Sequence, residues 1–337
     1  MSNLAHHLTD SLHEDDIDIS GINFTVEKIQ ELEDVLCSNK TPLAKRFRSL
    51  FTLKAINNYQ SINSIIKALD TCDSDLLNHE LAYCLGQMKN ELAIDCLTQI
   101  LETTSHAVMT RHEAAEALGA IGSERSLELL EKHTKPEFEN EVTVRETCEL
   151  AYAKILFEKE NDMSEINKEN VLYSSVDPAP PLKNITDVKA LGETLMNVKL
   201  SLFDRYRAMF TLRNIGTEEA VLELANGFND KSALFRHEIG NQFNLQILFI
   251  IITAYVFGQM QHVASVPSLI KTLEKEDESD MVRHEAAEAL GSIATEDCLK
   301  VLTKFQSDHK QVVKESAQVG LDMLEYYNSD QFQYAEV

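Results

Sequence analysis

Apolar residues recur every three to four positions along most of this chain, in short runs separated by polar turns. That is the period of a helix with one buried face. Between residues 25 and 157 the pattern predicts helices over 44–56, 62–69, 76–87, 92–101, 110–120, 126–133 and 142–157, taken two at a time. It then stops. The charged run Glu158-Lys159-Glu160-Asn161-Asp162 leads to Asp177-Pro178-Ala179-Pro180-Pro181, and proline cannot continue a helix, so 158–187 reads as a linker. Beyond it the first half begins again. Residues 45–54, KRFRSLFTLK, match 204–213, DRYRAMFTLR, and Val144-Arg145-Glu146 match Val313-Lys314-Glu315. The chain is a duplication.

The strongest match is a nonapeptide. Arg111-His112-Glu113-Ala114-Ala115-Glu116-Ala117-Leu118-Gly119 returns unchanged as Arg283-His284-Glu285-Ala286-Ala287-Glu288-Ala289-Leu290-Gly291. Each copy has a weaker partner upstream, Asn78-His79-Glu80 in the first half and Arg236-His237-Glu238 in the second. His79 and His112 are 33 residues apart, with one helical hairpin per period. This predicts an all-α, HEAT-like helical-repeat solenoid, with a period shorter than the ~40–47 residues usual there. The expected organisation is an N-terminal tail (1–24), a first half (25–157), the linker (158–187), a second half (188–327) and a C-terminal tail (328–337).

The same ruler exposes an intruder. His237 and His284 are 47 residues apart, and removing residues 240–253 restores 33. These 14 residues have no counterpart in the first half, where Leu81 runs directly into Ala82-Tyr83 as Ile239 should run into Ala254-Tyr255. They read as a retained intron: a Gly240 codon followed by Asn241 can encode a GTAA donor, and Thr253 with the first base of Ala254 can read ACAG. The alternative is a genuine insertion. At ~3.6 residues per turn it would add close to four turns and keep the downstream face near its old direction.

Four His-Glu dipeptides at one helical phase point to metal. Adjacent helical residues project ~100° apart, so both can lean toward a point beside the helix, and parallel helices ~8–10 Å apart bring two such pairs together. Imidazole with carboxylate suits non-haem iron. A pseudo-two-fold arrangement of the halves would face the two sets toward each other and could hold two ions ~3.5–4 Å apart. A repeat echo alone would not explain why the dipeptide is missing from the flanking repeats, where Arg48, Glu146, Arg207 and Glu315 stand. An HExxH zinc protease is disfavoured, because Tyr83, Glu116, Asn241 and Glu288 occupy the positions four residues after each histidine. Glu116 and Glu288 are read as bridging neighbouring helices or holding the histidines. His6, His7, His106, His133, His262 and His309 lie in the tail or near turns and are read as surface residues.

Composition narrows the partners. Asp plus Glu outnumber Lys plus Arg by 55 to 31, a formal net charge of −24, which disfavours nucleic acid and anionic membrane and favours a basic partner. The six cysteines show no CxxC spacing and suit a reducing compartment. Residues 1–20 carry no apolar signal region, and the apolar run 245–257, interrupted by Gln246 and Thr253, is too short to span a membrane.

With these residues in view, the chain closely resembles the deoxyhypusine hydroxylases, HEAT-like proteins with four His-Glu motifs in two duplicated halves. The resemblance runs from about residue 25 to 326 and rests on NHELAYCLGQM, RHEAAEALGAIG, RHEI with AYVFGQMQH, and RHEAAEALGSIA in that order. It implies an iron-dependent monooxygenase with two Fe2+ per chain that uses dioxygen to hydroxylate the deoxyhypusine side chain of translation factor 5A, in the cytoplasm and also the nucleus. It also implies direct iron ligation by His79, His112, Glu113, His237, His284 and Glu285. Glu80 and Glu238 would either bind iron or hold the substrate's ammonium groups. Two rivals stand beside it: a metal-free HEAT scaffold binding a basic protein, and a bilin lyase-type repeat protein, which gives no reason for four His-Glu pairs.

If residues 240–253 are intronic, the mature protein's mass and its cDNA both lack them. An intact mass that includes all 14 overturns that reading.

Overall fold

A computed structural model describes residues 17–19, 22–161, 175–244 and 263–327. Within the expected N-terminal tail, two short antiparallel strands, β1 (Ile17–Ile19) and β2 (Ile22–Phe24), pair Ile17 with Phe24. All other regular structure among the described residues is helical. The first half comprises α1 (Val26–Cys37), α2 (Leu43–Ile56), α3 (Tyr59–Thr71), α4 (Asp75–Gln87), α5 (Ile94–Glu102), α6 (Val108–Ile121), α7 (Leu127–His133) and α8 (Val142–Glu160). The second comprises α9 (Val188–Met196), α10 (Leu202–Ile215), α11 (Glu218–Asn226), α12 (Ala233–Asn244), α13 (Val266–Glu274), α14 (Asp280–Ile293), α15 (Glu296–Phe305) and α16 (Gln311–Tyr327). The helices predicted from periodicity are present, with ends moved by a few residues. The insertion lies mostly outside the described residues: α12 continues through Gly240 to Asn244, and 245–253 are not described.

Successive helices pair into hairpins, and the even-numbered helices stack on one another: α4 on α6, α6 on α8, α12 on α14 and α14 on α16. Their approach is close because small residues sit at the crossings. A Cβ on Gly86 would lie 2.6 Å from the Cα of Ala117, and one on Gly291 would lie 2.4 Å from the Cα of Gly320. Both glycines stand seven residues after a motif histidine, so the residue that lets the backbones touch is in phase with the one that carries the chemistry.

Each hairpin that holds a strong motif, and its counterpart at the start of each half, carries an arginine staple. Arg46, Arg111, Arg205 and Arg283 donate from Nε to the carbonyl oxygens of Leu36, Leu101, Leu195 and Leu273, each ten residues upstream, at 2.8 to 3.0 Å. Those carbonyls belong to the last turns of the outer helices, where backbone acceptors lack helical partners. The same guanidiniums reach acidic residues of the next turn: Asp73, Glu139, Asp230 and Asp308. Nearly all of this is buried, so losing one partner would leave a charge stranded in the core.

The halves meet head to tail at both ends. Helix α8 packs on α10 and α12, and α16 packs on α2 and α4. Two hydrogen bonds mark the pseudo-two-fold relation. Ser74 caps α4 by accepting from Leu77 N and donates its hydroxyl to Glu315 of α16 at 2.7 Å. Ser232 accepts from Phe235 N in the first turn of α12 and donates to Glu146 of α8 at 2.6 Å. Arg48 adds a bidentate bond to Asp322 at one end, and Arg207 stacks over Phe157 at the other.

The crossing of α14 and α16 gives a direct test. Gly291→Ala forces these helices apart and lowers stability by about 1–3 kcal/mol, despite the better helix propensity of alanine. Denaturant or thermal unfolding against wild type measures it, and equal stability would show that the backbones do not touch.

Candidate metal centre

Helices α4, α6, α12 and α14 bring all four His-Glu dipeptides to the same buried space between the halves. His79, His112, His237 and His284 are 2% exposed or less, and Glu80, Glu113, Glu238 and Glu285 are 9% or less. Such burial is unusual for histidine and rarer for glutamate. The imidazoles form one cluster. Ring centroids of His79 lie 5.4 Å from His112, 5.7 Å from His237 and 5.0 Å from His284; His237 is 5.0 Å from His112 and 5.4 Å from His284.

Two carboxylates sit among the rings. Glu113 Oε2 is 3.0 Å from His79 Nε2 and 3.9 Å from His112 Nε2. Glu285 Oε1 is 3.1 Å from His237 Nε2 and 3.5 Å from His284 Nε2. Each glutamate thus bridges the two histidines of its own half through their Nε2 atoms, which is the arrangement the duplication requires. Potential donor atoms fall into two groups within ion-binding distance of one another: His79 with His112 and Glu113, and His79 with His237, His284 and Glu285. Glu80 and Glu238 belong to neither group. Glu80 Oε1 instead lies 3.4 Å from His79 Nδ1.

The charges are strongly interdependent. Burial would lower His79, but Glu113 and Glu80 hold its imidazolium well above the ordinary histidine range. Burial and the three neighbouring histidines push His112 well below it. Burial also pushes His284 down, opposed by Glu285 and assisted by His79 and His237. For Glu285 burial acts upward, yet His284, His237 and His79 around it bring its carboxyl to about 2. Glu238 goes the other way, raised well above the carboxylate range by burial, Glu285, Asp177 and Glu113. Glu116 is raised in the same manner by burial, Glu113 and Glu238.

None of the eight ring nitrogens of the four histidines makes a hydrogen bond, although carboxylates lie beside several of them. Burying a polar atom unsatisfied costs about 1–3 kcal/mol, and native structures tolerate few such atoms. Four imidazoles and their carboxylates with open lone pairs directed inward form a donor set for a first-row transition metal of the non-haem iron type. The donor set fits. The cysteines take no part: all six are free thiols, and burial pushes those of Cys84 and Cys148 upward.

The linker contributes more than a break. Residues 175–182 bind across both halves: Val176 pairs through its N–H and carbonyl with Gln87 at the end of α4, and Arg213 of α10 grips Asp177 at 2.8 and 2.6 Å. Arg207 Nε donates to the carbonyl of Pro180, and Leu182 N donates to the Thr211 hydroxyl. Asp177 thereby lies close enough to Glu238 to raise its carboxyl. The sequence match of Lys54 with Arg213 was the available signal for this cation, but nothing in it indicates what the cation holds. Among histidines read as surface, His309 is exposed, while His133 is a correction: it is 4% exposed and its Nδ1 lies 2.9 Å from the carbonyl of Leu129, so a position near a helix end did not mean solvent. His6, His7 and His262 lie outside the described residues.

Comparison with known proteins agrees with this geometry. Residues 62–145 and 251–322 match HEAT repeats, and 204–230 match the PBS lyase HEAT-like repeat. Among similar proteins, a deoxyhypusine hydroxylase of Candida albicans is 48% identical over 328 residues, covering 94% of this chain and 98% of its own. One from Danio rerio is 48% identical over 313 residues, covering 91% and 95%, and one from Mus musculus is 46% identical over 312, covering 93% and 96%. The structure of human deoxyhypusine hydroxylase in complex with glycerol superposes with a TM-score of 0.79 at 42% identity, covering 89% of this chain and 96% of that one. With identity near one residue in two across almost the full length of its relatives, the chain belongs to the deoxyhypusine hydroxylase family.

Proposed function

We propose that the protein hydroxylates the deoxyhypusine side chain of translation factor 5A to hypusine, with dioxygen as oxidant and two Fe2+ per chain. The observation that carries the metal reading is the set of eight ring nitrogens, buried and without hydrogen bonds, converging from two duplicated halves. Six side chains are the direct ligands: His79, His112, Glu113, His237, His284 and Glu285. Iron held there supplies the activation of dioxygen, which no protein side chain can provide.

The remaining chemistry falls to the chain's own groups. The substrate is a lysine extended by an aminobutyl arm, so it brings ammonium charge into a space from which water is largely displaced. Buried carboxylates must offset that desolvation. Glu80 and Glu238 stand outside the two ligand groups, one beside each set, and are the residues that take the ammonium groups. The net charge of −24 steers a basic loop toward the cleft before any contact forms. No helix among the described residues is long and apolar enough to cross a membrane, which fits a substrate and enzyme that meet in the cytoplasm or nucleus.

Iron analysis with an absorption spectrum after exposure to dioxygen tests the reading. About two irons per chain and a visible charge-transfer band are expected, as for other two-metal sites. A colourless, iron-free protein that binds its partner without modifying it would replace the enzyme with a binding scaffold. His112→Ala is expected to lose iron and turnover by more than the ~10–100-fold typical of an outer partner of a metal ligand. Because His79 favours its imidazolium in the metal-free protein, metal loading at neutral pH must release protons, and affinity falls as pH drops and the imidazoles protonate. Calorimetry in buffers of different ionisation enthalpy measures that release; a buffer-independent heat would contradict it.

A further inference from the structure

One buried carboxylate outside the four dipeptides touches the cluster. Glu288 stands one helical turn after His284 on α14, is 3% exposed, and places Oε1 3.6 Å from His284 Nδ1. The other ring nitrogen, Nε2, lies 3.5 Å from Glu285 Oε1. His284 is therefore flanked by two carboxylates of its own helix, one toward the other rings and one behind. His79 is flanked in the same way, with Nε2 facing Glu113 at 3.0 Å and Nδ1 facing Glu80 at 3.4 Å. These two histidines oppose each other across the halves at 5.0 Å between centroids. A neutral imidazole offers one lone pair, and the group that receives its N–H decides which nitrogen carries it.

We propose that Glu288 is a positioning residue for His284: its carboxylate accepts the Nδ1 proton as a hydrogen bond, leaving Nε2 as the lone pair presented to the metal beside Glu285. In the first half the Nδ1 of His79 likewise faces a carboxylate oxygen, that of Glu80. The two atoms of the Glu288–His284 pair lie 3.6 Å apart, and contacts of this kind tighten when the ring is fixed by a ligand. This proposal rests on the metal reading of the site.

The duplication supplies an internal control. Glu116 occupies the same position in an identical nonapeptide, yet among the described residues it forms no ion pair with His112, and it is half-buried where Glu288 is fully buried. Glu→Ala at the two positions therefore changes the same helix in the same sequence context and removes an imidazole contact at only one.

The test is Co(II) titration of chelator-stripped protein, followed by its visible bands, with the melting temperature of the metal-free protein recorded alongside. Glu288→Ala is expected to weaken one Co(II) step about 10–100-fold. Glu288→Gln, whose amide oxygen still accepts a hydrogen bond, and Glu116→Ala are expected to stay within a few-fold of wild type. Should Glu288→Ala not fold, Glu288→Leu removes the acceptor while keeping the volume. Wild-type affinity in the Ala or Leu variant overturns the proposal. So does an equal loss in Glu288→Gln, or an equal loss in Glu116→Ala, which would mark a contact common to both helices. Failure of wild type itself to bind Co(II) would reject the metal reading rather than the assignment of Glu288.

Discussion

Four imidazoles and the carboxylates between them share one water-poor space, and an arrangement of that kind is uphill unless its surroundings hold it. Here the holding is done by backbone proximity. Inner helices that touch through glycine at Gly86 and Gly291 cannot slide without clashing, so the histidine two turns earlier on each helix has a fixed place. The arginine staples on α6 and α14 work from the other side of their hairpins, tying the inner helix to the carbonyls at the end of the outer one. The unsatisfied buried ring nitrogens are thus carried on helices whose crossings and ends are held by close packing and hydrogen bonds.

Glu285 is held ionised by the rings around it against its burial, whereas Glu238, at the equivalent position of the preceding motif on α12, is pushed toward its neutral form by burial, Glu285 and Asp177. Two glutamates of one motif set occupy opposite regimes because one lies among imidazoles and the other beside further carboxylates. A divalent cation bound in the cluster would favour the ionised form of each carboxylate beside it, reinforcing the state of Glu285 and opposing the pressure on Glu238.

Much of this was legible from residue order. The 33-residue spacing of His79 and His112 established the repeat, and the return of the nonapeptide established the duplication, so convergence of four His-Glu pairs followed from helix phase together with a pseudo-two-fold arrangement of the halves. What phase could not supply was the direction of each side chain. Glu80 and Glu113 are both the residue after a histidine, yet Glu113 faces Nε2 atoms and Glu80 faces an Nδ1, because the helices they stand on have different neighbours. Arg111 and Arg283 were visible only as the first letters of a motif; their partners are carbonyls of another helix, which no side-chain pattern records. The linker was clear as an interruption, but its docking through Asp177 depends on a buried Arg213 that reads as an ordinary helical residue.

The serines that begin α4 and α12 carry one more consequence. Each hydroxyl accepts from its own helix and donates to a glutamate of the opposite half, Ser74 to Glu315 and Ser232 to Glu146. A cap of this kind makes two events one: the first turn of a helix cannot fray without loosening the seam, and the seam cannot part without disturbing that turn. Those turns lead directly into His79 and His237. Breathing of the two halves is therefore transmitted to the cluster along the backbone, over a single turn of helix, and amide exchange at the start of α4 and α12 reports the opening of the whole molecule rather than a local event.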